Sequence, residues 1–504
     1  MDHLNNPKNG KQNKLLSQAR KLRKEKKYQQ AEKKLEQLIK QNPQDPALLL
    51  EKVRLLRLTY RFEKAEELLQ KLLQEDSSVN FYKKELLQES AKVAFQLNKL
   101  EESANRYHQL RQLLEEELKA ALSSQPTNSA PGPRGYQGIE KKWLQVNKKI
   151  NEILWEMRDT EKIKNHRRHV FDMLGGVQEL KRILRWENSS QCFQIHTEMF
   201  TCGLSNYFSC LHQLTTTHQR KEEYKTEITP ELSYFPPYLV EKCLTPQSRE
   251  PFYYQVISEH GLFQNTHLAR TPQLVAMKED VNYKRVLLEY VNGKQALLER
   301  IDPYLLGFAL GEIAKEFAPA LPEKKAHFRA RPLKEFDPEE ALYAFSHEDP
   351  QAVKKAVALL ESFHSCRDRW EKLKDGLPLL FCHNDISETN IVIKDNWDHP
   401  YYYFLDWERA SYNAAGSDLG DVIRWGDFRY LEEKGKVERV EKLLINGYLD
   451  AISELPVSCT AEEVRFAAYY HFINQKTRLA IQTRNFELFR RIAQRSKFLQ
   501  EKYS

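Results

Sequence analysis

The N-terminal part of the chain has a helical pattern of apolar positions. From Leu16 to Leu122, Leu, Ala and aromatic residues recur at helical spacing among Lys, Glu and Gln, as in amphipathic helices. Residues 1–15 are polar and lack this period, so they are predicted to be a disordered tail. Residues 123–135 are crowded with Pro, Gly and Ser and are predicted to be a linker.

The pattern changes twice after the linker. Residues 136–190 return to helical spacing, with Trp143, Ile150 and Ile153 on one face. This segment either continues the N-terminal helices or braces the next domain, and the sequence leaves both open. From about Cys192 the apolar residues follow the shorter period of strands. The chain therefore combines an all-α N-terminal region with an α+β domain at 191–504.

An internal repeat lies within residues 16–122. The apolar positions of one helical segment recur 34 residues later. The first set is Tyr28, Ala31, Leu35 and Leu38, and the second set is Phe62, Ala65, Leu69 and Leu72. This period resembles that of tetratricopeptide repeats, with Asn42–Pro46 as the turn. Such arrays offer a groove to a peptide or protein, so a protein partner is expected at the repeats. The alternative is a purely structural helical appendage.

The stretch Leu379–Trp425 places polar groups at the ends of predicted strands. Two apolar runs flank the polar segment His383–Asn390, and a third run, Tyr401–Leu405, ends on Asp406. The pattern predicts strand, loop, strand, turn, strand. Buried strands hold the polar groups at their ends in a definite geometry.

These polar groups suit phosphoryl transfer. His383, Asp385 and Asn390 form H-x-D-x-x-x-x-N, the skeleton of a kinase catalytic loop. Asp385 is the candidate acceptor of the proton of the attacking hydroxyl, and His383 is interpreted as an orienting residue. Asn390 and Asp406 are the candidate ligands of Mg²⁺, which prefers oxygen. Asn384 replaces the arginine of a protein-kinase loop, so the site is kinase-like without being that of a protein kinase.

Three motifs together resemble a known family. FCHND-x4-NI, LDWERASYN and SDLGD resemble the choline/ethanolamine kinase branch of the aminoglycoside phosphotransferase superfamily, over roughly residues 195–490. The resemblance implies a bilobal, protein-kinase-like domain with a small lobe at about 191–292 and a large lobe at about 293–504. It implies ATP and Mg²⁺ as cofactors. Asp418 of the third motif is interpreted as bracing the catalytic loop.

The small lobe holds the candidate nucleotide-binding residues. Lys242 lies on the predicted strand Tyr238–Cys243, and Glu250 opens the next helix. Kinases place a strand lysine on the phosphates and orient it with a helix glutamate. Ser205 and Asn206 lie in the turn where the family binds the nucleotide phosphates, so they are also expected to contact the cofactor.

The acceptor side departs from the family pattern. Glu408 and Trp425 are the candidate substrate residues. The alignment with choline kinases places Asn474 and Thr477 where two cage tryptophans are expected, and Lys476 lies between them. A quaternary ammonium group relies on aromatic rings, so an anionic or neutral hydroxylated acceptor is as plausible as choline. A solvated helix face remains the alternative interpretation of Lys476.

Composition excludes several other classes of protein. A net charge of +7 over 504 residues is weak support for nucleic-acid binding, and no nucleic-acid partner is expected. The seven cysteines are scattered without a C-x-x-C pair, which argues against a disulfide framework or a zinc site. The sequence shows no apolar run of membrane-span length and no N-terminal signal region. A cytoplasmic location is the simplest expectation.

The sequence therefore predicts an ATP-dependent phosphotransferase. Its acceptor is a hydroxyl of a small molecule or of a glycan or lipid-linked acceptor, such as an amino alcohol or a sugar. One alternative is a catalytically weak kinase-like scaffold or binding module coupled to the repeats. Another is a kinase that acts on a protein brought in by the repeats.

Overall fold

The computed structural model describes most of the chain. The described residues are 7–74, 82–123, 135–186, 193–201, 206–216, 237–297, 301–320, 329–330, 332–333, 335–396, 398–423 and 434–503. They form a helical N-terminal array followed by a sheet-containing kinase-like domain, so the predicted α+β fold class is confirmed.

Successive helices of the array pack against one another. They are α1 (Pro7–Lys24), α2 (Tyr28–Gln41), α3 (Pro46–Leu58), α4 (Phe62–Gln74), α5 (Lys83–Gln96) and α6 (Leu100–Ser123). The 34-residue repeat positions from Ala31 to Leu72 are buried, because each helix turns its apolar face toward its neighbours. Asp45 in the predicted turn caps α3 by accepting the backbone N–H of Ala47 at 2.8 Å.

Two predictions about segment ends have different outcomes. Helix α1 begins at Pro7, so the prediction of a disordered tail over residues 1–15 is wrong from Pro7 onward. Proline is favourable at the first helical position, and the Lys, Gln and Leu residues after it are good helix formers. The predicted linker, residues 123–135, lies almost wholly outside the described residues, between the end of α6 and the start of α7.

The helices after this segment connect the array to the first sheet. They are α7 (Gly135–Glu156), α8 (Thr160–Met173) and α9 (Gly176–Ile183). Trp143 and Ile150 of α7 share one core cluster with Leu110 of α6 and with Phe208 and Cys243 of the sheet. The segment 136–190 therefore does both of the things that the sequence left open. It extends the helical array, and it braces the next domain.

A five-stranded antiparallel sheet follows. Its strands are β1 (Phe193–Met199), β2 (Phe208–Thr216), β3 (Tyr238–Leu244), β5 (Leu274–Glu279) and β6 (Lys284–Glu289). Helix α10 (Glu250–His260) follows β3 in the chain. The order across the sheet is β1-β2-β3-β6-β5. Strand β3 is central, so Lys242 lies between two neighbouring strands. It is paired in register with Ser209 on β2 and with Val286 on β6.

The second lobe carries the candidate catalytic segment His383–Asn390 between short strands. The strands are β4 (Ala269–Arg270), β7 (Lys294–Gln295), β8 (Leu379–Cys382), β9 (Ile391–Lys394), β10 (Tyr401–Phe404) and β11 (Ser411–Ala414). Four of them form one sheet in the order β4-β10-β9-β7, and β11 pairs with β8. This arrangement confirms the predicted strand, loop, strand, turn, strand pattern.

Helices surround these strands. They are α11 (Pro303–Ala320), α12 (Pro338–Ala344), α13 (Pro350–Ser365), α14 (Arg367–Asp375), α15 (Lys434–Ile452), α16 (Ala461–Gln482) and α17 (Phe486–Tyr503). Glycines let α11 and α15 approach closely. A Cβ on Gly447 would lie 2.0 Å from the Tyr304 carbonyl oxygen, and one on Gly307 would lie 2.1 Å from that of Leu444. A membrane span needs a long apolar helix, and the helices described by the structure include none of that kind.

The helical array is docked against the large lobe. The ring of Tyr343 on α12 packs against that of Phe62 on α4 in a tilted arrangement, with ring centroids 4.8 Å apart, and its hydroxyl donates to the Gln96 carbonyl at 3.2 Å. Arg484, between α16 and α17, donates to the same carbonyl at 2.6 Å. The end of α5 is therefore bonded to two separate elements of the large lobe.

Candidate functional site

The loop between β8 and β9 is held by a buried carboxylate. Asp418 accepts the backbone N–H of His383 at 2.8 Å and that of Asn384 at 2.6 Å. Asn384 has a left-handed backbone, with φ of 60°, a region that asparagine tolerates better than most residues. Its side chain donates to the Ser411 hydroxyl at 2.8 Å. Burial raises the pKa of Asp418.

His383 joins this loop to the end of β10. Its imidazole is fully buried, its Nε2 lies 2.8 Å from the Leu405 carbonyl oxygen, and its ring contacts that of Trp407. Leu405 is the residue before Asp406. The geometry therefore suits the orienting role that the sequence suggested for His383, because the ring links the catalytic loop to the strand end that carries Asp406.

Asn390 and Asp406 stand side by side. Strands β9 and β10 are antiparallel, with Ile391 opposite Phe404, and the Leu405 N–H donates to the Asn390 carbonyl at 2.8 Å. The Asn390 side-chain amide donates to the Asp385 carbonyl at 2.9 Å. This bond engages the amide nitrogen and leaves the amide oxygen as the group available to a cation.

The residues present fit a magnesium ion. The Oδ1 atom of Asp406 is buried and has no hydrogen-bond partner among the described residues, while the side chain as a whole is 21% exposed. A carboxylate oxygen and the amide oxygen of Asn390, on neighbouring strands, are oxygen donors of the kind that suits Mg²⁺. Asp406 has a left-handed backbone with φ of 64°, which is unusual for a residue with a side chain and is often found at functional sites.

Lys242 and Glu250 form a close pair beside Asp406. The Lys242 Nζ lies 2.6 Å from Glu250 Oε1 and 3.9 Å from Asp406 Oδ1. Burial lowers the pKa of Lys242, but the carboxylates of Asp406 and Glu250 outweigh that effect and raise it. Burial raises the pKa of Glu250 to about 7, against the opposing effect of Lys242. The lysine therefore carries its charge at neutral pH next to the candidate metal ligand.

Asp385 has a basic neighbour that sequence reasoning did not place there. Lys476 of α16 donates to Asp385 Oδ1 at 3.3 Å, and its Nζ also lies 3.2 Å from Asp421 Oδ1. The Lys476 side chain is 4% exposed, and Asp421 is fully buried, so the interpretation of Lys476 as part of a solvated face is wrong. Arg409 approaches the same Asp385 oxygen at 3.7 Å. Its sequence neighbours are polar, Asn474 and Gln475 before it and Thr477 and Arg478 after it, so the local sequence carries no signal for this burial.

Two of the remaining predicted residues, Asn206 and Glu408, lie in the described part of the structure. Asn206 is buried just before β2, while Ser205 and Trp425 lie outside the described residues. Glu408 is half-buried in the turn after Asp406, and its charge helps to raise the pKa of Glu250. Glu408 therefore acts electrostatically on the Lys242 side of the site.

A second cluster of polar side chains lies inside the small-lobe sheet. Cys210, His212 and Glu241 bring their potential ligand atoms within 4.8 Å of one another. The Glu241 carboxylate already forms an ion pair with the buried Arg285, and it lies 2.8 Å from His212 Nε2. Because Arg285 already compensates the charge of Glu241, we interpret this cluster as a structural network of the sheet.

Two family models match the chain. Residues 249–439 match the phosphotransferase enzyme family, APH, and residues 22–80 match the tetratricopeptide repeat. Both resemblances drawn from the motifs and from the 34-residue period are thus confirmed. The matched phosphotransferase segment includes Glu250, Asp385 and Asp406 but begins after Lys242.

Three solved structures show a limited similarity to this chain. Spectinomycin phosphotransferase, in complex with ADP and spectinomycin, is 14% identical, with 65% of this chain and 94% of that chain covered and a TM-score of 0.35. Ethanolamine kinase from Plasmodium vivax is 12% identical, with 73% of this chain and 94% of that chain covered and a TM-score of 0.37. A microcompartment-associated aminopropanol kinase is 13% identical, with 65% of this chain and 97% of that chain covered and a TM-score of 0.34. Such low values say nothing about which acceptor this chain uses.

Proposed function

We propose that this protein is an ATP-dependent phosphotransferase whose acceptor is a hydroxyl group. The observation that carries the proposal is the position of Lys242, with its Nζ 2.6 Å from the helix glutamate Glu250 and 3.9 Å from Asp406. A strand lysine oriented by a helix glutamate beside a metal-binding aspartate is the arrangement that kinases use to hold nucleotide phosphates. The kinase-like fold and the phosphotransferase-family match support the same activity.

Each polar residue has a role in this proposal. Asp385 orients the acceptor hydroxyl and accepts its proton as the hydroxyl oxygen bonds to the γ-phosphorus and the bond to the β-phosphate oxygen breaks. Asn390 and Asp406 would hold Mg²⁺, which supplies neutralising charge to the phosphates when bound. Lys242 contacts the phosphates, and Glu250 fixes the position of Lys242. His383 orients the loop.

The positive charge near Asp385 favours neutral or anionic acceptors over cationic ones. Lys476 and Arg409 both approach Asp385 Oδ1, so a quaternary ammonium group there would meet two like charges. Like charges across a binding site disfavour the wrong ligand. A small sugar, or a glycan or lipid-linked acceptor with neutral or anionic groups, is therefore favoured over an amino alcohol such as choline.

A turnover screen tests this proposal. The purified chain would be given Mg-ATP with amino alcohols, sugars, sugar phosphates and glycan oligomers, and ADP release would be measured. Turnover with a sugar-type acceptor that is lost in Asp385→Ala supports the proposal. Asp395→Ala is the matched control, because Asp395 is 69% exposed and pairs with Lys294 at the surface. Preference for choline would contradict the charge argument.

The second candidate function is a catalytically weak scaffold, and one specific observation favours it. The ion pair between Lys476 and Asp385 partly neutralises the carboxylate that must accept the proton. Melting temperatures with and without Mg-ATP separate the two functions. The phosphotransferase predicts stabilisation that is lost in Lys242→Met, since binding to the folded state alone raises stability. No stabilisation and no turnover with any acceptor would support the scaffold.

A further inference from the structure

The N-terminal array carries a repeated set of arginines. Arg20 and Arg23 of α1 lie 34 residues before Arg54 and Arg57 of α3, the same spacing as that of the apolar repeat positions. These helices, together with α5, alternate with α2, α4 and α6 along the array. The repeat therefore preserves positive charge on α1 and α3 as well as apolar packing.

The first arginine pair converges on a buried glutamate of α3. Glu51 is 2% exposed. Its carboxylate forms an ion pair with Arg23, lies 3.6 Å from Arg20 Nε, and lies 3.4 Å from a terminal nitrogen of Arg54. One carboxylate therefore holds three guanidinium groups from two helices.

The second pair repeats this arrangement one helix further on. Glu89 of α5 lies 2.9 Å from Arg57 Nε, 3.8 Å from Arg54 Nε and 2.8 Å from Lys92 Nζ. Burial raises the pKa of Glu89, but Arg57 and Lys92 outweigh burial and hold the pKa below its usual value. Glu89 therefore stays ionised at neutral pH and keeps the cations in place.

Within the described residues, the cations on this surface outnumber the carboxylates. Glu51 and Glu89 are paired with five cationic side chains, and the neighbouring Lys24 and Glu85 add one charge of each sign. The five are Arg20, Arg23, Arg54, Arg57 and Lys92. A guanidinium group has five N–H donors, so the set offers more donors than two carboxylates accept. Arg20 is 44% exposed and the others are 20 to 33% exposed, so solvent or a partner reaches them.

A cavity of about 320 Å³ lies on this surface. It combines four cations and one carboxylate with two apolar residues, and its lining is Arg20, Arg23, Lys24, Leu50, Arg54, Tyr82 and Glu85. A ligand that fits it carries several negative charges and an apolar group for Leu50 and Tyr82. An extended peptide with acidic residues around one apolar side chain has both features.

We propose that the groove formed by α1, α3 and α5 binds an acidic peptide segment of a partner protein. Glu51 and Glu89 hold the arginines in place before the partner arrives, which lowers the side-chain entropy lost on binding. The excess positive charge supplies both attraction and selectivity for carboxylates. The inference goes beyond the phosphotransferase activity and stands without it, because none of these residues belongs to the Asp385 site.

A peptide-binding titration with the full chain tests the inference. The probe is a fluorescein-labelled Asp/Glu-rich peptide containing one leucine, and its Asn/Gln counterpart is the reference. We expect the acidic peptide to bind and the neutral one not to bind, with affinity falling as salt rises. Equal binding of both peptides, or of neither, would overturn the inference. So would equally effective competition by an oligonucleotide of the same charge, since the surface would then be a general anion binder.

Charge variants on α1 and α5 locate the site. Arg20→Glu should weaken the acidic peptide at least about tenfold, because it reverses charge in the groove. Lys21→Glu is the matched control, since Lys21 is 79% exposed on the same helix and does not line the cavity. Glu85→Gln removes a negative charge from the lining and should tighten binding. Equal weakening by Arg20→Glu and Lys21→Glu, or no tightening by Glu85→Gln, would show that the peptide does not occupy this groove.

Discussion

Lys476 donates to Asp385 at 3.3 Å while its Nζ lies 3.2 Å from the fully buried Asp421. The lysine on the penultimate helix thus joins the catalytic loop to a carboxylate that has no access to water. A cation in this position fixes the direction of the Asp385 carboxylate, and it adds positive charge where the transferred phosphoryl group and the acceptor would meet.

Replacing Lys476 should affect stability and turnover separately. Lys476→Met leaves Asp421 buried with less compensation, so unfolding in urea should show a loss on the order of 3 to 5 kcal/mol. The double variant Lys476→Met/Asp421→Asn removes both charges and should recover most of that loss. If Lys476 acts at Asp385, ATP turnover stays low in the double variant. Full recovery of turnover would show that the lysine has only a structural role.

Glu250 should make stability depend on pH. Its pKa is raised by burial from 4.5 to about 7, so between these values the folded state binds more protons at this group than the unfolded state does. The contribution of Glu250 to the free energy of unfolding therefore falls as pH rises from about 4.5 to 7 and is constant above that range. Urea unfolding at several pH values should show this fall in the wild type relative to Glu250→Gln. Parallel curves for the two proteins would contradict it.

Asp418 should matter for the catalytic loop without taking part in chemistry. Asp418→Ala leaves the buried N–H groups of His383 and Asn384 without their acceptor, at a cost of about 1.5 to 3 kcal/mol for each bond. We expect both the melting temperature and turnover to fall. Asp385→Ala, on the partly exposed side of the same loop, should lose turnover while keeping most of the stability. If the loss of melting temperature relative to the loss of turnover were the same in Asp418→Ala and Asp385→Ala, this division of roles would be wrong.

The contact between α11 and α15 should tolerate no side chain at Gly447. A Cβ there would lie 2.0 Å from the backbone oxygen of Tyr304, so Gly447→Ala must separate the helices and should cost about 1 to 3 kcal/mol or more. Gly435→Ala in the first turn of the same helix has no described atom within 4 Å of the new Cβ, so it should leave the free energy of unfolding unchanged or slightly raised. Equal stability of the two variants in urea would contradict the close approach.

The catalytic stretch was predictable because its residues are close in sequence. The strands around His383–Asn390 and the pairing of Lys242 with Glu250 follow from short-range patterns and fixed spacings. Lys476 was not predictable in this role, since its contact with Asp385 spans 91 residues and depends on how α16 rotates against the loop. The arginine repeat is not predicted by the apolar pattern, because Arg20, Arg23, Arg54 and Arg57 are charged and lie outside it.

The docking of the array against the large lobe has a consequence for distance. Gln96 at the end of α5 is bonded to both Tyr343 and Arg484, and Phe62 packs on Tyr343. These contacts hold the array against the large lobe, so the proposed peptide groove and Asp385 belong to one packed unit. If a partner bound in that groove carries the acceptor hydroxyl, the segment between its two contact points must span the distance from the groove to Asp385. The docking would then limit the acceptors on such a partner by the length of that segment.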